Sequence, residues 1–399
     1  MTTTQDKYFT SSFKYSPVDQ AENIAAKRRV MSIMADMAEA PVTRLEEAAR
    51  AGFAQEAALN VTHPINELRG IEAGLAQLWR PLRRALPDME RREDIVAGGI
   101  YRQGSWVACM GHYLGNFTAD LLGIPATRGL VHLRFCEGHE LRDGRIVTSY
   151  IFLDLLDLMR QAGYWPIAPS LGSEVRWMPP RTLDGLVLQP QDEARSRRTI
   201  ESVLKMHAAL GKFSGGPPTR AALDEMEQAA HWHEDFMWYG PAGIGTTRGF
   251  PAYEDYHQIP FLLAFPDRGG SAQGHFIRIG DGHYAVTGGW GYLRATHTGG
   301  ELFGAPPTGK RVKMRVMDFY RCDDKTIVEN WIPIDVPHLL LQMGVDVFGR
   351  MRHQFRQQGA LRASDWLIHQ GGPTPPPGPL PDESGRGSAA AKHPPKGIM

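Results

Sequence analysis

Among the residues able to move a proton, Asp318 stands out. In the run 312–320 alternate side chains of an extended chain share one face, so Val312, Met314, Val316, Asp318 and Tyr320 point the same way. A carboxyl on an otherwise apolar face has its charged form disfavoured, which lifts its pKa toward the range useful for proton transfer. The competing reading is a strand-end acid at a rim, paired with Arg321. Asp335 is the second acid. It precedes Val-Pro-His-Leu-Leu, where a carboxylate caps a helix by accepting from free amides. Capping and catalysis are compatible there.

Both acids belong to one half of an internal duplication. Residues 123–163 fall on 304–344 without a gap, and Gly123, Pro125, Thr127, Val131, Arg134, Asp154, Gln161 and Gly163 meet identical residues. Residues 69–88 fall on 248–267 in the same way. A repeat this long is a whole domain copied, not a solenoid unit. The copies serve as mutual controls. In copy one, Val131, Leu133, Phe135, Glu137 and His139 form the matching strand face, again with one acid. Ile71, Leu75, Leu78, Leu82 and Leu86 make an apolar helical stripe, and copy two has Phe250, Glu254, His257, Phe261 and Phe265 there. An unpaired buried Glu or His costs on the order of several kcal/mol. Glu254 and His257 are therefore expected to have partners, or to line a cavity holding water or ligand. Alternatively Pro81 and Pro260 break the helix and Glu254 reaches solvent. Copy one reads as filled with hydrocarbon, copy two as hollow and polar.

Other candidates are aromatic or imidazole groups. Leu223, Met226, Ala230, His233 and Met237 follow helical spacing, which puts His233 on a buried stripe. His231 and His233 are two apart, so on a helix they diverge and make no metal pair. Trp238 and Tyr239 open a Gly-rich segment that reads as a ligand-facing loop. Tyr253, Trp290, His297 and Trp331 complete the expected binding set.

These groups need elements to hold them. Thr43-Arg-Leu-Glu46 has capping-box spacing and predicts a helix carrying Leu45, Ala49, Phe53 and Ala57. Residues 191–210 have helical periodicity through Ile200, Leu204 and His207, and Thr219 is placed to cap the next helix. Alternating runs punctuated by Asp143-Gly144, Asp281-Gly282 and Asp323-Asp324-Lys325 predict antiparallel strands. Helices first and strands after indicate an α+β class, with helices packed on one face of a curved sheet. The boundaries read as an arm over 1–41, a structural module over 42–166, a linker with a helix over 167–218, and a catalytic module over 219–350. A C-terminal helix and Pro/Gly-rich tail occupy 351–399, the tail expected to be disordered.

Lys+Arg and Asp+Glu number 44 each, so there is no cationic excess for nucleic acid or a membrane surface. No apolar run is long enough to span a bilayer, and the start lacks a signal-peptide pattern. Cys109, Cys136 and Cys322 are odd in number and show no metal spacing, which fits a reducing cytoplasm.

Pro306-Pro-Thr-Gly309, Asp318-Phe-Tyr-Arg321, Ile327-Val-Glu-Asn-Trp331, Asp335 and Gln342-Met-Gly344 together resemble the SnoaL-like polyketide (ester) cyclases of the nuclear transport factor 2-like superfamily. Copy one carries a weaker version. The resemblance implies two tandem cone-shaped domains, each a bent sheet around an apolar cavity. It implies that the acid at Asp335 protonates a carbonyl oxygen during ring closure. It also implies domains paired sheet to sheet, so the fusion stands in for a homodimer, and a homodimer of the whole chain stays open. The expected chemistry uses no metal and no cofactor and acts on a small carbonyl-bearing substrate, by aldol-type cyclisation, isomerisation or retro-aldol cleavage. His257 is expected as base, Asp335 as acid and Asp318 as the orienting or polarising group. Water addition of the hydratase or epoxide-hydrolase kind is one rival, and a non-catalytic ligand carrier is the other.

Overall fold

A computed structural model of the chain describes residues 13–213, 215–270 and 274–370. The start of the arm and the Pro/Gly-rich tail lie outside the described residues.

In the first module, α1 (Gln20–Glu39) is capped by Asp19, and its Val30, Ile33, Met34 and Met37 are buried. α2 (Leu45–Gly52) follows a short 3-10 turn. The helix expected from Thr43 therefore ends at Gly52, and the Thr43 side chain caps nothing. Phe53 and Ala57 lie instead on β1 (Phe53–Val61), which pairs in parallel with β6 (Arg145–Leu153). Their spacing buries them equally well on a strand, and pairing with a distant segment decides the outcome.

After β2 (Asn66–Arg69) comes one helical stretch in three pieces: α3 (Ile71–Gly74), a π turn (Leu75–Trp79) and α4 (Arg80–Ala85). Pro81 lacks an amide and its ring crowds the preceding turn, and the widened π turn accommodates it. The proline thus loosens the helix without ending it, and Ile71, Leu75, Leu78, Leu82 and Leu86 are all buried. β3 (Glu90–Tyr101), β4 (Gly104–Asn116) and β5 (Leu130–Arg142) complete a sheet ordered β2-β1-β6-β5-β4-β3, and α5 (Leu155–Gln161) follows it.

The second module repeats the plan. Its helix α6 (Glu193–Leu210) comes from the segment read as a linker and packs on the module's own strands. α7 (Arg220–Leu223) is capped by Thr219, as its position predicted. Then come β7 (Trp232–Tyr239), β8 (Thr247–Arg248), α8 (Gly249–Tyr253), a π turn (Glu254–Gln258) and α9 (Ile259–Ala264). β9 (Gly269–Gly270), β10 (His275–Asp281), β11 (Tyr284–Thr296), β12 (Arg311–Cys322) and β13 (Ile327–Trp331) follow, then α10 (Val336–Gln342) and α11 (Val347–Gln370). The strand order is β10-β11-β12-β13-β7-β8, with β9 beside β11. A register shift between Trp290 and Leu293 marks a bulge, which bends the sheet.

The two sheets meet through their outer faces. Ile95, Ala97, Met110 and Phe152 share an apolar cluster with Phe276, Ile279, Met317 and Phe319. Tyr150 stacks on Phe276 with centroids 3.7 Å apart. The approach is closest at Gly99, where a β-carbon would come within 2.8 Å of Ile279. One chain therefore contains the sheet-to-sheet pairing. No helix among the described residues is long and apolar enough to cross a membrane.

Candidate functional site

In the second module, helices and sheet enclose a cavity of about 140 Å³. Its floor is the inner face of β12, where Met314, Val316, Asp318 and Tyr320 line up as their alternation predicts. β7 contributes Trp232 and Trp238, and the helix around the π turn contributes Tyr253, His257 and Phe261. α6 adds Met206, His207 and Leu210, β11 adds Tyr292 and Leu293, and Arg268 stands just before β9. A second cavity of about 140 Å³ adjoins, sharing His257, Phe261 and Ile334 with the first. An engineered cavity of about 150 Å³ holds benzene, so either compartment suits a group the size of one ring.

Asp318 is buried, and burial pushes its carboxyl up to about 7 against hydrogen bonds from Tyr320 and Asn330. The Asn330 amide donates to Oδ1 at a long 3.4 Å. Among the described residues, no cation acts on this carboxylate. The Tyr320 hydroxyl lies 2.9 Å from Nε2 of His207. Asp318, Tyr320 and His207 thus form a polar chain from the floor to α6. Burial, with Arg278 adding to it, holds His207 down at about 3, so this imidazole is neutral at pH 7.

His257 forms part of the wall between the two cavities. Its ring stacks on Trp238 with centroids 4.2 Å apart. Burial and then the nearby Arg268 lower it to about 3. It is a neutral imidazole, able to donate a hydrogen bond but a weak proton acceptor.

The equivalent position in the first module carries a buried ion pair as well as the hydrocarbon its leucines suggested. Glu137 occupies the repeat position of Asp318. Burial pushes its carboxyl up, but Arg91 and His139 outweigh that and hold it at about 2. Arg91 Nη2 donates to Glu137 at 2.7 Å and its Nη1 donates to the Tyr113 hydroxyl at 2.6 Å, while Tyr113 donates to Glu137 at 2.8 Å. The guanidinium also lies 4.0 Å from the centre of the Phe135 ring. Arg91 pairs with Tyr113 in the strand ladder, and the matching pair in the second module is Gly270 and Leu293.

The remaining expected site residues lie elsewhere. Asp335 does not line the chamber. Its Oδ1 accepts from the amide of His338, and its Oδ2 accepts from Arg315 at 3.0 Å and from the amide of His63 at 2.9 Å. Asp154 does the same in mirror fashion, pairing with Arg134 at 3.0 Å and accepting from the amide of Ala242 at 3.0 Å. His63 and Ala242 are repeat equivalents, so each module's capping aspartate reaches into its sibling. Burial raises Asp335 to about 6 against those three hydrogen bonds and the Arg315 charge.

Glu254 turns out of the chamber toward Arg220, 4.0 Å away, and burial raises its pKa. His233 lies on β7, not a helix, where strand alternation puts it on the face opposite Trp232 and Trp238, and it is exposed. Tyr239 shares that outward face and stacks on Trp331, with centroids 5.2 Å apart. Trp238 and Tyr239 thus end a strand that precedes the Gly-rich loop. The indole of Trp331 donates to the Met178 carbonyl, and that of Trp290 donates to Glu67 at 2.7 Å beneath Arg315. His297 pins the β11–β12 loop through Gly300 and Thr308. Of the expected residues, the chamber brings together Asp318, His257, Trp238 and Tyr253.

His207, Arg268, Tyr292 and Asn330 were missed. His207 had shown only helical periodicity, and Arg268 and Asn330 gain meaning only by replacing Met89 and Ser149 of the first module. Among the described residues, no group of three or more His, Cys, Asp or Glu could hold a metal ion.

Several solved structures resemble parts of the chain. A candidate SnoaL-like polyketide cyclase from Jannaschia sp. CCS1 is 18% identical, with 37% of this chain and 95% of that chain covered and a TM-score of 0.30. AclR, a candidate hydroxylase from Streptomyces galilaeus, is 24% identical over 37% and 97%, with a TM-score of 0.27. A phenazine biosynthesis-related protein from Pseudomonas aeruginosa is 17% identical over 40% and 99%, with a TM-score of 0.28. No curated relative matches. Residues 32–162 and 220–343 both match the family model of the SnoaL-like polyketide cyclases. That is more than half of the sequence, and the chain belongs to the SnoaL-like polyketide cyclase family.

Proposed function

We propose that the second module is a cofactor-independent acid–base catalyst for a small carbonyl-bearing substrate, with Asp318 as the base. A base works best when its pKa lies near the operating pH, and Asp318 at about 7 meets that condition where His257 at about 3 does not. Asp318 takes the proton from the carbon beside the carbonyl. The C–H bonding pair becomes the enolate, and the proton rests on the carboxyl until it is returned to product. Tyr320, backed by His207, steadies the carboxylate. His257 serves as the neutral donor that polarises the carbonyl oxygen, a use of imidazole known where its protonation is suppressed. The enolate then closes a ring by aldol attack or is reprotonated elsewhere as an isomer, and the reverse sequence is retro-aldol cleavage. Asp335 keeps the junction role its Asp154 twin has.

The observation that carries this reading is a buried acid with no cationic partner among the described residues, on the floor of a largely apolar chamber of one-ring size. The test follows wash-in of deuterium from D2O beside the carbonyl of phenylacetone and ethyl benzoylacetate by proton NMR. Asp318→Asn is expected to slow the protein-dependent exchange by about 100-fold or more. Equal rates in the wild type and Asp318→Asn would overturn the assignment.

A further inference from the structure

The chamber holds a second charge that the proposed proton transfer does not use. Arg268 lies in its wall, and burial drives the guanidinium down to about 10. Among the described residues it has no carboxylate partner. Its one side-chain hydrogen bond runs from Nη2 to the Leu210 carbonyl at 3.3 Å, and its flat face lies 5.7 Å from the Phe213 ring. Arg268 is half-buried; the more deeply buried Arg91, Arg134 and Arg315 each hold carboxylates: Glu137 and Glu93, Asp154 and Asp157, Asp335 and Glu67. Arg83 lacks a carboxylate too, but it donates to two carbonyls, of Met37 and Ala40, where Arg268 reaches only that of Leu210. At the repeat position of Arg268 the first module has Met89, a buried thioether. Putting a guanidinium where a sibling domain uses a core residue, and giving it no counter-ion, costs stability unless something else supplies the charge.

We infer that the chamber receives a small anion, a single-ring carboxylate, docked on Arg268 with its apolar body against Phe261, Leu293 and Trp238. The planar fork of a guanidinium matches a carboxylate in two parallel hydrogen bonds. Arg268 and Asp318 do not pair with each other, so an anchored carboxylate leaves the far end of the molecule to Asp318. Resting on the reading of Asp318 as base, this names the substrate class as a keto acid: carboxylate at one end, acidic C–H beside a carbonyl at the other.

The test is calorimetric titration of the full-length protein at pH 6 with benzoate and with benzamide, its uncharged counterpart of the same shape. The wild type is expected to prefer benzoate by about 10-fold or more, and Arg268→Met to weaken benzoate by about 30-fold while leaving benzamide within about twofold. Arg268→Lys, which keeps the charge without the fork, is expected to retain part of the preference. Unchanged benzamide binding shows that the chamber is intact in each variant. Equal benzoate affinity in the wild type and Arg268→Met overturns the inference, as does failure of the wild type to bind benzoate. The two readings fail separately. If Asp318→Asn loses exchange while Arg268→Met binds benzoate normally, the base stands and the anion site falls. If Asp318→Asn exchanges normally while Arg268→Met loses benzoate, the chamber is an anion receptor without the proposed chemistry.

Discussion

The two modules place an acid at the same point of the same strand and treat it in opposite ways. Glu137 sits among Arg91, Tyr113 and His139, which keep it ionised down to about 2. Asp318 sits among Tyr320, Asn330 and open space, and rises to about 7. The difference traces to single replacements. Arg91 becomes Gly270 and Tyr113 becomes Leu293 on neighbouring strands, while Leu78 becomes His257 on the helix. With Gly270 at the position of Arg91, and with Arg268 making no pair with Asp318, no cation among the described residues holds the Asp318 carboxyl down and it titrates near neutrality. The fold itself is indifferent to which of the two states it carries.

Opposite electrostatics predict opposite responses. Glu137→Gln leaves buried Arg91 with Glu93 as its remaining carboxylate and is expected to cost about 2–3 kcal/mol in chemical denaturation at pH 8. Asp318→Asn removes an uncompensated buried charge and is expected to stabilise the protein by up to about 4 kcal/mol at that pH, while abolishing exchange. A loss of stability on Asp318→Asn breaks the comparison.

The pH dependence sharpens it. Asp318 has its folded pKa raised, so its contribution is full below the unfolded value of about 4 and is lost as pH climbs through about 7. Glu137 has its folded pKa depressed, so its contribution is full above the unfolded value of about 4.3 and is lost as pH falls toward about 2. Wild-type stability minus that of Asp318→Asn is expected to fall between pH 4 and pH 8. The difference from Glu137→Gln is expected to stay flat over that range. Exchange activity is expected to rise with pH through about 7 as the Asp318 carboxylate forms.

Smaller effects separate junction from chamber. Asp335→Asn and Asp154→Asn break equivalent interlocks, and each is expected to cost about 2 kcal/mol. Exchange at saturating substrate is expected to stay within about threefold in both. A selective collapse of exchange in Asp335→Asn would return the acid role to that residue. His257→Leu restores the first module's hydrocarbon and is expected to add about 1 kcal/mol of stability, with about a 10-fold loss of exchange.

The internal repeat made the duplicated α+β plan legible, because identical glycines, prolines and acids fell in register over whole modules. The floor of the chamber was legible too, since strand alternation alone puts Asp318 and Tyr320 on one face. Periodicity misled at His233, where the spacing Leu223–Met237 passes for a helix although the chain turns into β7. It misled again at Phe53, where a helical interval continues into β1. Trp290, Trp331 and Asp335 were drawn to the chamber by type, but a sequence does not say that a second sheet covers the outer face and claims them. His207 and Arg268 went unseen because their roles depend on α6 folding back over the sheet and on the absence of a partner, neither of which is a local pattern.

The most direct test is the carboxyl carbon-13 chemical shift of Asp318 and Glu137 followed by NMR against pH, with Asp318→Asn and Glu137→Gln for assignment. The account predicts that the Asp318 signal titrates at about 7 while the Glu137 signal does not move above about pH 4. An Asp318 signal that titrates in the ordinary aspartate range, near about 4, would contradict it.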